Sequence, residues 1–141
     1  MTEPTPGQNP ADGPDADPEL IAFATRLFDL ARQGDTAQLA AYVDAGVSAN
    51  LTNDRGDSLL MLAAYHGHAA AVQALLDRGA DPDRANDRGQ TPLAGAVFKG
   101  EQDVITALVK AGADPSAGAP SAIDTARVFG KQELLALFGA Q

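Results

Sequence analysis

His66 and His68 are the only histidines of this 141-residue chain and stand one residue apart around Gly67. With Asp35 or Glu101 as a third donor they form the one constellation that suggests a metal ion, since imidazole and carboxylate groups are its usual ligands. Nothing else in the pattern supports chemistry of that kind. There is no Ser-His-Asp order, no glycine-rich phosphate loop and no pair of carboxylates set for acid-base work. Asp54 and Asp87 each follow an asparagine and precede Arg-Gly, so they are turn formers before they are acids or bases. No catalytic residue, no metal and no cofactor is expected, and the chain is read as a binding protein and not as an enzyme.

The elements that carry these residues recur. Gly34, Gly67 and Gly100 are spaced by thirty-three positions, and Gly46, Gly79 and Gly112 keep the same interval. The tetrapeptide Asn53-Asp54-Arg55-Gly56 returns intact as Asn86-Asp87-Arg88-Gly89. A fixed period of this length marks a stacked-repeat architecture, in which each unit is too small to bury its own apolar face and leans on its neighbours. Such a stack leaves an extended surface open to a partner, which favours binding over catalysis.

Asp17 and Pro18 form a cap and first-turn pair, and Leu20, Ala24, Leu27, Phe28 and Ala31 follow at helical spacing. A helix is therefore expected to run from there to the stop at Gly34. Asp35 caps a second helix through Leu39, Tyr42 and Val43 to Gly46. The later units repeat the pair as Ser58 to His66 with His68 to Arg78, Thr91 to Lys99 with Glu101 to Ala111, and Ser121 to Phe129 with a last helix after Gly130. Between the pairs, the Asn-Asp-Arg-Gly tetrapeptides predict projecting hairpin-like turns. Gly130 follows Gly100 three positions sooner than the period requires, so the final loop is shortened and is expected to be poorly formed. Leu39, Val72 and Ile105, with Tyr42, Leu75 and Leu108 and with Val43, Leu76 and Val109, keep the period and predict an outer-helix core. Leu134, Leu137 and Phe138 are expected to continue it. Leu27, Leu60, Leu93 and Ile123 do the same for the inner helices.

Composition narrows the partners. Ten Lys and Arg against nineteen Asp and Glu give a net charge of −9, and no two basic residues are adjacent, so nucleic acid and anionic lipid are not expected partners. The chain has no cysteine, which removes disulfides and thiolate metal sites. No stretch approaches the roughly 20 apolar residues of a membrane span, and the first residues are acidic and proline-rich where a signal peptide would be basic and then apolar. A cytoplasmic monomer is expected. Residues 1–18 hold five prolines and four acidic residues, Glu3, Asp12, Asp15 and Asp17, and are read as a disordered acidic tail before a repeat body at 19–141. The units of that body fall at about 19–52, 53–85, 86–118 and 119–141.

The run Asn86-Asp87-Arg88-Gly89-Gln90-Thr91-Pro92-Leu93, then Gly100, then Ala107-Leu108-Val109-Lys110-Ala111-Gly112-Ala113-Asp114, resembles an ankyrin repeat. The second unit, from Gly56 through Leu75-Leu76-Asp77-Arg78-Gly79-Ala80-Asp81, resembles one as well. The resemblance implies an all-α fold, an ankyrin-repeat solenoid of four helix-pair units with projecting β-turn loops, two good repeats lying between degenerate ends. The family's Thr-Pro-Leu-His start is reduced here to Ser58-Leu59-Leu60-Met61 and Thr91-Pro92-Leu93-Ala94. Both lack the histidine that ties neighbouring loops in the family, so weak cohesion and greater mobility of the loops are expected. His68 occupies the family's position for a structural hydrogen bond, and His66 is expected to face the groove, so the two rings should point apart.

The resemblance implies a concave contact surface made of loop tips and the exposed ends of the inner helices. By position this gives Asp54, Arg55, Asp57, Tyr65 and His66 from the second unit and Asp87, Arg88, Gln90, Phe98 and Lys99 from the third. Tyr65 and Phe98, with Val128 beyond them, are expected to form an apolar ridge flanked by Arg55 and Arg88, a composition suited to an interface. The same two rings also fit a role as partly exposed packing. Three functions follow: a protein-binding adaptor or modulator using this groove, an acidic nucleic-acid mimic or charged inhibitor of a basic protein, and an enzyme, for which no residue stands out.

Overall fold

The computed structural model describes residues 17–140, and the acidic stretch expected as a tail lies mostly outside them. Among the described residues there are eight helices and no strands: α1 (Pro18–Gln33), α2 (Thr36–Asp44), α3 (Leu59–Tyr65), α4 (Ala69–Asp77), α5 (Pro92–Lys99), α6 (Gln102–Lys110), α7 (Ala122–Val128) and α8 (Gln132–Leu137). They form four antiparallel pairs. Inner helices α1, α3, α5 and α7 pack side by side, and α2, α4 and α6 form the outer row. None of these helices is long and apolar enough to cross a membrane.

Local chemistry sets the boundaries. The Asp17 carboxylate accepts from the Glu19 amide at 2.8 Å, and Pro18 occupies the first turn, where no amide donor is needed. Helix α1 ends at Gly34, whose φ of 74° reaches the left-handed region that closes a helix. Hydroxyls cap the later inner helices: Ser58 accepts from Met61 N at 2.9 Å, Thr91 from Ala94 N at 3.2 Å and Ser121 from Asp124 N at 3.1 Å. Each such cap is worth about 1 kcal/mol.

The buried residues follow the period. Leu27, Leu60 and Leu93 from the inner row and Leu39, Val72, Ile105, Leu75 and Leu108 from the outer row are buried, while Tyr42, Val43, Leu76, Val109 and Ile123 pack partly buried against them. The last helix departs from expectation. Leu137 is about half exposed, and Leu135 is buried beside Leu134. The shortened loop shifts the register, so that Leu135 takes the place of Ile105 and Phe138 that of Leu108.

The loops are also better joined than the missing histidine suggests. In each tetrapeptide the asparagine side chain closes the turn: Asn53 Oδ1 accepts from Arg55 N and Asp57 N, and Asn86 Oδ1 accepts from Arg88 N and Gln90 N. Successive loops are then tied in series. The Asp87 amide donates to Arg55 O at 3.0 Å, the Ala119 amide to Gly89 O at 2.9 Å, and Asn86 Nδ2 to Asp57 Oδ1 at 2.8 Å. The first two loops nest so closely that a Cβ on Gly56 would lie 2.9 Å from Asp87 N. A second tier of bonds joins the turns after the outer helices, from Asn50 Nδ2 to Gly79 O, Asp81 N to Asn50 Oδ1 and Asp114 N to Asp83 Oδ1. The final loop, expected to be poorly formed, is closed by an antiparallel bridge between Gly118 and Ser121. Backbone amides and short amide or carboxylate side chains do the joining that the sequence motif assigns to a ring.

Candidate protein-interaction surface

The turns after α2 and α4 and the C-terminal ends of α1 and α3 surround an open cleft of about 470 Å³. Asp54, Arg55, Asp57, Tyr65, His66, Asp87, Arg88 and Gln90 all line it, so eight of the ten residues expected at the contact surface converge on one place. Phe98 lies next door, in a notch of about 230 Å³ that it shares with Tyr65 and Gln90. Lys99, the tenth, places its Nζ 5.1 Å from the centre of the Tyr65 ring, within reach of a cation–π contact.

Tyr65 and Phe98 occupy equivalent positions but different environments. Tyr65 is half-buried beneath Lys99 and forms the floor between cleft and notch. Phe98 is 58% exposed and meets the Phe129 ring edge-on with centroids 5.7 Å apart, and Val128, which precedes Phe129 in the chain, is 80% exposed. The apolar ridge is therefore made by Phe98, Phe129 and Val128, with Tyr65 set below it. Phe129, from the last unit, joins it through its contact with Phe98.

The charges are arranged so that the arginines at the tips remain available. Arg32 pairs with Asp29 at 2.8 Å, Arg78 with Asp44 at 2.9 Å and Arg127 with Asp124 at 3.7 Å, whereas Arg55 and Arg88 have no carboxylate within salt-bridge distance among the described residues. Asp57 is held by the Asn86 amide.

The two histidines do not point apart. His68 Nε2 donates to Arg32 O at 2.7 Å, which fixes the proton on Nε2 because a carbonyl can only accept. His66 lines the cleft, yet its ring lies 6.5 Å from that of His68 at an interplanar angle of 24° and meets the edge of Tyr65 at 5.5 Å. The tight turn at Gly67 brings both rings to one side. Partial burial, then the nearby His68, Arg32 and Lys99, lower the His66 pKa below the ordinary histidine value. Asp35, the third donor considered for a metal, spends its carboxylate on Gln38 N and Nε2. No group of three or more histidine, aspartate or glutamate side chains among the described residues is placed to hold a metal ion.

Several lining residues escaped the sequence reading. Arg32 stands one full period before Tyr65, so the repeat already placed it in the same row, but the degenerate start of the first unit hid the alignment. Met61, Leu62 and Asn86 complete the cleft, and Ala94, Gly95, Pro120 and Thr125 complete the notch. None of these carries a chemical signature by type alone.

Four stacked helix pairs joined by turns define a repeat scaffold. The family model for ankyrin repeats in three copies matches residues 27–119, and the chain belongs to the ankyrin repeat family. The matched span stops before α7 and α8, in keeping with the shortened last unit. The ankyrin repeat protein PA3287 of Pseudomonas aeruginosa is 52% identical over 54 residues, which cover 38% of this chain and 32% of that protein. The crystal structure of the human ASB11 ankyrin repeat domain superposes with a TM-score of 0.60 at 32% identity, over 63% of this chain and 40% of that one. The chain thus spans about a third of the bacterial relative's length. Ankyrin repeats are in general protein-protein interaction modules and typically non-enzymatic scaffolds.

Proposed function

We propose that this chain is an adaptor or modulator that docks one partner protein along its concave face, with Tyr65, Phe98, Arg55 and Arg88 at the centre of contact. The observation that carries this reading is convergence. Side chains from successive units meet around an open cleft with an aromatic floor and arginines without a carboxylate partner among the described residues, beside a notch lined by the exposed Phe98. Aromatic and arginine side chains dominate binding energy at protein interfaces, and a charge without an internal partner costs less to recruit. The same reading takes the chain as a monomer in the cytoplasm, with residues 1–18 as an acidic tail and 19–141 as the repeat body.

The test is affinity capture from the source cell with wild type beside the Tyr65→Ala plus Phe98→Ala double variant, its folding checked by circular dichroism. Loss of a partner that wild type retains is the expected result, and equal recovery by both rejects the groove. The acidic-mimic reading makes the opposite demand. Its contact would survive the double variant and weaken steeply between low and high salt.

A further inference from the structure

Residues 61–62 and 94–95 hold equivalent places in α3 and α5, one period apart, yet the second unit has Met61-Leu62 and the third has Ala94-Gly95. Two large side chains are missing from the third unit. Where they would sit, the notch of about 230 Å³ opens, walled by Tyr65, Phe98, Pro120 and Thr125 over a floor of Ala94 and Gly95. A Cβ at Gly95 would lie 3.1 Å from the terminal methyl of Met61, 3.5 Å from Tyr65 Cδ1 and 4.0 Å from Met61 Sδ, so a side chain here needs the buried but flexible methionine end to give way. Glycine inside a helix is unfavourable relative to alanine, so the sequence bears a local cost that leaves space. The space is smaller than the pockets that enclose drug-sized ligands and suits one side chain.

Charge says what flanks that side chain. Tyr65 and Gln90 line both notch and cleft, so the two adjoin. Around them Arg32, Arg55 and Arg88 are matched in number by Asp54, Asp57 and Asp87, and Arg32 is already paired with Asp29, so the charge there is balanced overall and differs in which groups are engaged. Asp57 is already engaged by Asn86, and Arg55 and Arg88 lack carboxylate partners among the described residues.

We propose that the notch is a socket for one large apolar side chain, of the leucine, methionine or phenylalanine kind, on a peptide segment of the partner. A carboxylate a few positions away on the same segment is taken by Arg55 and Arg88. This rests on the groove reading above and narrows it to a partner segment of stated chemistry. Unit three supplies the socket, unit two its aromatic wall, and the loop tips the charge selection.

A display library of random dodecapeptides panned against the purified full chain tests it, with the enriched peptides then synthesised and titrated. Expected are sequences with one large apolar residue and an Asp or Glu within a few positions. Replacing that apolar residue by Ala, or filling the socket with Gly95→Leu, weakens binding by at least about tenfold. Arg55→Gln with Arg88→Gln removes the preference for the acidic residue. On wild type, the backbone amide signals of Gly95 and Thr125 shift on peptide addition, a readout that needs no variant to fold, and Gly95→Ala serves as the milder filling. Absence of enriched binders, enrichment without the apolar residue, or equal affinity for the filled variants overturns the socket. Peptides indifferent to Gly95→Leu but lost on Tyr65→Ala with Phe98→Ala sink the socket and leave the groove. Peptides indifferent to both sink the two together.

Discussion

Helices α3 and α5 are two copies of one unit that share part of their core and differ most in side-chain size under the cleft and the notch. Leu60 and Leu93 are both fully buried at matching positions, as are Ala63 and Ala96. One step away, Met61-Leu62 fills the space under the groove in the second unit, and Ala94-Gly95 leaves it open in the third. The stack constrains the residues that touch neighbouring units on both sides, because a change there disturbs two interfaces at once. Residues under the groove have one free side. There the two copies differ most in side-chain size, although the buried pairs Ala64 with Val97 and Leu59 with Pro92 differ as well.

Three changes test that contrast, beginning with the largest. Leu62→Ala empties in unit two the place that unit three leaves open, and it should lower unfolding free energy by about 2 to 3 kcal/mol, the lower part of the range for a buried leucine because the site opens onto a cleft. Urea denaturation measures it, and a loss below about 1 kcal/mol would mean that the two units are equivalent after all. Gly95→Ala works in the reverse sense. Removing a helix-interior glycine should raise stability by up to about 1 kcal/mol, reduced by whatever shift Met61 must make, and a decrease would show that the glycine is required by packing.

The smallest effect concerns the turn that ends α3. His66 has its pKa lowered by burial and by His68, Arg32 from α1 and Lys99 from α5, while Glu101, which lies against Gly67, is the acidic group on that side. The folded state therefore binds the His66 proton less readily than the unfolded chain does. The stabilisation is present above the ordinary histidine pKa and is lost as pH falls below it, through the lowered value. Thermal unfolding of wild type should thus lose more on going from neutral to mildly acidic pH than unfolding of His66→Gln. Identical pH slopes would remove His66 from the account. The effect ranks last because the ring is largely exposed to solvent.

Much of this architecture was legible before any coordinates. The period, the caps at Asp17 and Asp35, the stops at Gly34 and Gly100, and the framework leucines all follow from local rules acting within one turn or one unit. The convergence of Arg55, Arg88, Tyr65 and Gln90 was legible too, because a repeat turns sequence spacing into spatial adjacency. Leu137 was misplaced where the shortened last loop broke that conversion.

By itself the sequence determined which residues stack, since burial of an apolar row that recurs once per repeat is satisfied by only one arrangement of the helix pairs. The tertiary structure alone decided how neighbouring units meet at their free edges. The Asp87 amide on Arg55 O, the stacked rings of His66 and His68 and the notch over Gly95 depend on the distance between units, which no residue type encodes. A missing side chain becomes a pocket only when its neighbours hold their places around the gap.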